Sequence, residues 1–384
     1  QSRNSSVNFL KSFTYTGHKK TDLFIDGETG VNFYDGGTID YQQASNDIEA
    51  HTGIQSNAGS IWFGGNPFEF KNHSHGNTQL WAGSHITNTN GAPLIFTFTQ
   101  TNQDDKQNID LYAGNAIKMY GDVTFKHDDA DNHKGFIKLR ANANERDLWN
   151  EQLLTDLVKL PGLGRCPVKC VNDSVGDIDL RAKTTILYRG KPTVWMAANN
   201  DINIRQDYVH IAGSTSQDDQ GPTRIVAGRD IVTGANTQNH PNNYQTTFFY
   251  NHVGKGNVGH FDMKAFRDII TNNKVILGYS PTSETVHNTL FACNNIDIRN
   301  AFTYGDSVPS GTKKNKWTRL YAGQDILSNS TCLNYGAPVN FYTSDNILTD
   351  WNAGRNIITG DSVNFRYGST SNQVRDLYLV AQGG

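Results

Sequence analysis

The densest set of groups able to hold a metal or move a proton is KHDDADNH (Lys126–His133), where Asp128, Asp129 and Asp131 stand between His127 and His133. Carboxylate oxygens packed this closely suit Ca²⁺, a hard cation that takes oxygen ligands. The segment lacks the spaced ligands and fixed glycine of an EF-hand loop, and a solvated turn between two strand-like runs accounts for it as well. Smaller acidic pairs occur at Asp104-Asp105 and Asp218-Asp219. Cys166 and Cys170 are close enough to close a small disulfide loop if the chain is exported, whereas zinc would need a second cysteine pair. Cys293 and Cys332 can remain free. No GxSxG, HExxH, paired CxxC or phosphate-binding loop is present, so the sequence names neither a nucleophile nor a catalytic pair.

Such groups need a scaffold, and the scaffold is written as a repeat. IEAHTGI (Ile48–Ile54), LWAGSHI (Leu80–Ile86), LYAGNAI (Leu111–Ile117), LRAKTTI (Leu180–Ile186), IVAGRDI (Ile225–Ile231), MKAFRDI (Met263–Ile269), LFACNNI (Leu290–Ile296), LYAGQDI (Leu320–Ile326) and WNAGRNI (Trp351–Ile357) share one pattern. An apolar residue, any residue and Ala are followed by three of any kind and Ile. LRANANE (Leu139–Glu145) lacks the Ile, and WMAANNDI (Trp195–Ile202) reads as a copy with one residue extra. Most successive alanines are roughly thirty residues apart, a period that belongs to solenoids, propellers or arrays.

The position before the Ala is indifferent while its neighbours are apolar, which is the period of two of a strand with one buried face. The Gly/Asn/Asp-rich triplet between Ala and Ile reads as a turn. Further strand-like runs follow, such as KMYGDVTF (Lys118–Phe125) and PVNFYT (Pro338–Thr343). A unit of this size buries its apolar face only by stacking on its neighbours. The expectation is an all-β, right-handed parallel β-helix of about eleven coils, roughly 50 Å long. Asp230, Asp268, Asn295, Asp325 and Asn356, each just before the Ile, are expected to stabilise turns and stack between coils rather than bind ligands.

One segment breaks the pattern. ERDLWNEQLLTDLVKL (Glu145–Leu160) has helical spacing and ends at Pro161-Gly162, so residues 142–176 are read as an inserted helix and Cys loop. The remainder forms a single domain over 1–384. A chain that starts at Gln1 and ends on Gly383-Gly384 reads as a segment of a longer protein.

Composition agrees with a turn-rich β protein. There are 36 Gly and 42 Asn, and charged residues are only 18% with a net charge of −3. Low charge suits coils that set like side chains in register, where stacked like charges repel. No Lys/Arg run exceeds a pair and no apolar run is long enough to span a bilayer, so neither nucleic acid binding nor membrane insertion is expected. The outward column carries Trp81, Tyr112, Phe291 and Tyr321, candidate contacts for a glycan or protein partner unless loops or a neighbouring copy cover them. That column holds no pair of carboxylates.

The segments AGRDI (Ala227–Ile231), AGQDI (Ala322–Ile326) and AGRNI (Ala353–Ile357) resemble the repeats of filamentous-haemagglutinin-like exported adhesins. The resemblance implies a right-handed parallel β-helix in a secreted or cell-surface rod used for adhesion or surface structure. The triplet Asp-Ser-Val, at Ser174, Ser307 and Ser362, looks like the O-glycosylation signal of exported Bacteroidota proteins. Asn4, Asn72, Asn172 and Asn329 begin N-x-S/T sequons. The expected function is therefore a non-enzymatic extracellular rod that meets a glycan or protein surface or stacks end to end, with Ca²⁺ as the one candidate cofactor. The alternatives are a polysaccharide lyase or glycosidase of the same architecture, and a viral or phage spike.

Overall fold

The computed structural model describes residues 5–17, 21–42, 50–73, 76–98, 107–127, 135–143, 175–189, 193–214, 223–234, 245–252, 258–279, 285–304, 315–328, 339–343, 347–360, 362–367 and 375–382. All their regular structure is strand. The strands form three sheets of 12, and each sheet takes every third strand of the chain. All the strand pairs of the first turns are parallel and in register, Val7 with Val31, Phe13 with Gly37 and Leu23 with Thr52. The fold is thus a parallel β-helix, in which coil n holds the nth strand of each sheet. The first coil comprises Val7–Phe9, Phe13–Gly17 and Leu23–Gly27, and the last comprises Asn356–Thr359, Val363–Tyr367 and Arg375–Ala381.

Twelve coils replace the expected eleven because the first two lack the marker alanine. Gly27 and Ser56 occupy its place, and Ser56 is the register partner of Ala82. The segment IEAHTGI is therefore displaced from the true copy, which is Ile54-Gln55-Ser56. LRAKTTI is likewise no copy: Leu180 ends a strand of the first sheet, and Ile186 lies in the second. Its coil is marked instead by Ala198, in register with Ala141 and Ala227, so WMAANNDI contains no extra residue. Ala50 and Ala182 misled because both are buried near corners, where a small residue fits without belonging to the column.

The marker position faces inward where the chain leaves the third sheet for the first. Ala82, Ala113, Ala198, Ala227 and Ala322 are fully buried there. The following glycine is set by axial packing: a Cβ on Gly228 would lie 2.0 Å from the Asn199 carbonyl oxygen of the preceding coil. KMYGDVTF, read as one run, spans a corner between Ala116–Met119 and Val123–His127. Residues 142–176 separate the third-sheet strand Phe136–Ala141 from the first-sheet strand Asp177–Leu180. The helix expected at 145–160 lies outside the described residues.

In-register stacking turns each inward position into a column. Phe9, Phe33 and Phe63 stack with centroids 4.8 and 5.2 Å apart, and Phe70, Phe96 and Phe125 at 4.8 and 5.0 Å. Each buried ring contributes about 1.5–3 kcal/mol by leaving water. The interior also admits polar groups, Asn72 and Asn88 among the N-terminal coils and His210, Asn288 and Thr318 further along. Burial pushes the Tyr304 phenol up to about 12. His210 is fully buried and brought down to about 3 by desolvation, so it is neutral, with Tyr208 Oη and Thr223 Oγ1 at 3.5 and 3.4 Å.

Candidate functional site

The outward column of the third sheet divides at its middle. Trp81 and Tyr112 are register partners whose rings stack 5.9 Å apart at 9°. The Arg140 guanidinium continues the stack 5.4 Å from the Tyr112 ring. It is aimed by Asp110, which accepts from Nε at 3.1 Å and Nη2 at 2.5 Å. Trp81 remains 40% exposed, so this step is open to a partner.

Further along, the expectation fails for Phe291 and Tyr321. Both occupy the predicted column, yet they are only 4% and 7% exposed. The Tyr321 hydroxyl donates to Asp350 Oδ2 at 2.7 Å, and burial raises its pKa further. Ala197 and Val226 in the same column are fully buried in a second apolar cluster with Ala143, against which Trp195 and Phe266 pack. Lys264 is brought down to about 8 by desolvation, its ammonium 4.7 Å from the Phe266 ring centroid. These residues hold a covered face and are not an exposed contact strip. Alternation told which way they point but not what lies over them.

A second outward column escaped the sequence reading altogether. Asp110, Lys138, Trp195, Arg224, Asp262, Thr289, Arg319 and Asp350 are successive register partners on the third sheet. Acidic and basic groups therefore do recur along one row. Lys138 lies 4.0 Å from the Phe136 ring, and Arg224 5.8 Å from that of Trp195. The signal was present in the sequence two residues before each indifferent position, but it emerges only once the strands are in correct register.

The Asp and Asn residues before the Ile form a ladder along the corner between the third and first sheets. The backbone N–H of Asp201 donates to Asp177 Oδ1 at 3.1 Å, and the pattern repeats through Asp230, Asp268, Asn295, Asp325 and Asn356. Arg229, Arg267 and Arg355 each grip the aspartate of the preceding coil through Nε and Nη2. The AGRDI motif thus encodes an inward Ala, a Gly admitted by close packing, an Arg reaching backward and an Asp reaching forward. Each carboxylate raises the pKa of its arginine, and Arg355 holds Asp325 below the usual carboxylate range. Like charges do stack here, contrary to the compositional expectation, because guanidinium groups and amides intervene. The expected role in turns and axial stacking is what the side chains perform.

On the first sheet, Trp62, Thr87 and Lys118 line a recess of about 430 Å³ that the sequence reading also missed. Its residues belong to three successive coils and share no contiguous motif.

The remaining candidates separate cleanly. Asp128, Asp129, Asp131, Cys166, Cys170, Ser174 and Ser307 lie outside the described residues. Ser362 is exposed. Asn72 is 1% exposed on an inward face, so its sequon is not an accessible acceptor. Cys293, expected to be able to remain free, is disulfide-bonded. Among the described residues no group of three or more His, Cys, Asp or Glu could hold a metal ion. No protein-family model matches the chain, and neither a curated protein nor a solved structure shows significant similarity to it.

Proposed function

We propose that the chain is an extracellular structural or adhesive rod of a cell-surface or filament protein, presenting its lateral faces to a glycan or protein partner. The observation that carries this reading is the unbroken stack of 12 coils with the half-exposed Trp81–Tyr112 step fixed upon it. Large rings on a rigid frame lose little conformational entropy on contact and supply broad apolar faces with polar edges. The Cys293 disulfide supports an oxidising location, as does the likeness of the AGRDI-type repeats to exported adhesins. Electron microscopy of native material tests the assembly: rods or filaments are expected, and compact isolated particles would overturn it.

The charged row from Asp110 to Asp350 favours a second reading, a carbohydrate-active enzyme. Acids and bases recurring along one row are the groups on which glycosidic cleavage draws. A polysaccharide panel followed by reducing ends and unsaturated-product absorbance decides between the two. Turnover abolished by Asp262→Asn would replace the adhesive reading.

A further inference from the structure

The recess on the first sheet has the composition of a ligand site. Trp62, Thr87 and Lys118 are register partners in coils 3, 4 and 5, so their side chains leave the sheet in one row at about 4.8 Å intervals. Thr87 is the short member and forms a notch between an indole and an ammonium. Tyr34 braces Trp62 from the coil below, centroids 4.9 Å apart. Tyr120, 38% exposed, lines the recess and has the Arg181 guanidinium packed 4.7 Å from its ring.

The corner beneath is rigid. Buried Asn88 donates to the carbonyls of Ala92 and Gly121 at 2.9 and 3.0 Å and accepts from the Gly121 N–H at 3.1 Å. That closes the turn between the first and second sheets and fixes the backbone that carries Asn90 and Tyr120. His85 adds an imidazole. Ser84 Oγ lies 2.7 Å from His85 Nδ1 and accepts from Asn115 Nδ2 at 3.1 Å. Burial and the neighbouring Lys118 lower the pKa of the ring, which favours its neutral form.

Two features narrow the ligand. No carboxylate lines the recess, and Lys118 has no ion-pair partner among the described residues. An ammonium with no ion-pair partner among the described residues, in a recess also lined by two aromatic rings and by hydroxyl, amide and imidazole groups, complements a ring that has an apolar face and an anionic substituent. We propose that this recess binds an anionic sugar of a glycan chain, stacking the pyranose on Trp62 and Tyr120 and directing its carboxylate or sulfate to Lys118. The proposal deepens the adhesive reading and rests on it.

Calorimetry on the full chain uses three probes: an oligogalacturonate, the same oligomer with its carboxylates reduced to alcohols, and a sulfated galactan oligosaccharide. At least one anionic probe is expected to bind about tenfold more tightly than the neutral one, and more weakly as salt rises. The tighter anion then identifies the substituent. Lys118→Met should lose about tenfold and Lys118→Arg should retain affinity. Thr87→Trp, which fills the notch, should abolish binding. Unaltered thermal melting of each variant separates lost binding from lost fold. The proposal is overturned if the neutral oligomer binds as well as both anions, if neither anion binds at millimolar concentration, or if Lys118→Met binds as the parent does. Binding lost with Trp81→Ala but kept with Thr87→Trp would move the contact to the third sheet, overturning the recess while sparing the adhesive reading. Release of cleaved product would instead overturn the adhesive reading itself.

Discussion

Coils 1 to 5 and coils 6 to 12 keep one backbone period by different means. In the first group, phenylalanine rings stack directly above one another inside the rod, and the corner before the Ile is held by Gly30, Ser60, His85 and Ala116. In the second, the interior accepts His210, Asn288 and Thr318, while the corner carries the ladder of carboxylates from Asp177 onward. Rings also stack in the second region, Phe341 on Phe365 at 5.3 Å, so what sets it apart is the added ladder of directional hydrogen bonds. The outer faces follow the same division: aromatic groups remain open at Trp81 and Tyr120 but are covered at Phe291.

If that contrast is sound, truncating a stacked ring should have the largest effect. Phe96→Ala removes the middle of the Phe70–Phe96–Phe125 stack and is expected to cost about 3–5 kcal/mol in urea unfolding; a cost near 1 kcal/mol would mean the stack does not set stability there. Next comes the ladder. Asp230→Ala deprives both Arg267 and the Asp268 N–H of their acceptor and should cost about 2 kcal/mol. Ser60→Ala, at the equivalent place in the N-terminal group, should cost less than about 1 kcal/mol. Equal losses would erase the distinction.

Acid titration sharpens it further, because two rungs have opposite signs. Arg355 depresses Asp325, so its contribution is present above the ordinary carboxylate range and is lost as pH falls through the lowered value. Asp325→Asn should flatten that acid limb of a stability curve. Burial raises Asp268 instead, so its charged form opposes folding at neutral pH. Asp268→Asn, which keeps an oxygen for the Asn295 N–H, should leave neutral-pH stability unchanged or raise it by about 0.5 kcal/mol. The smallest effect is expected at Trp81→Ala, within about 0.5 kcal/mol in thermal melting, since that ring is half-exposed. A larger loss would show that the open step also holds the coils together.

The architecture was legible because solenoids convert axial repetition into sequence period, and the inward Ala and Ile columns survived in most coils. Register was less legible. Gly27 and Ser56 stand where the marker is expected, and residues 142–176 separate Ala141 from its coil's next strand, so neighbouring alanines were mistaken for it. That error hid the charged row, whose members align only when Ala198 replaces Ala182. The aromatic step at Trp81 and Tyr112 followed from alternation alone. Burial of Phe291 and Tyr321 did not, because it depends on what packs over the sheet. The recess around Thr87 depends on contrasts of side-chain size between coils, which no repeat pattern expresses.

The two modes of reinforcement meet between coils 5 and 6. Phe125 ends its stack against Ile186, and the ladder begins only with Asp177, whose partner below is Ala116. Neither the phenylalanine stack nor the ladder crosses this junction, where Asp122 Oδ1 accepts from the Lys183 N–H at 3.2 Å and where residues 142–176 enter. For a filament under tensile load, nearest-neighbour coupling makes the weakest interface the site of rupture. Such a rod would behave less like a uniform fibre than like two stiff segments joined by a mechanical fuse, with the place of yielding set by the order of its side chains.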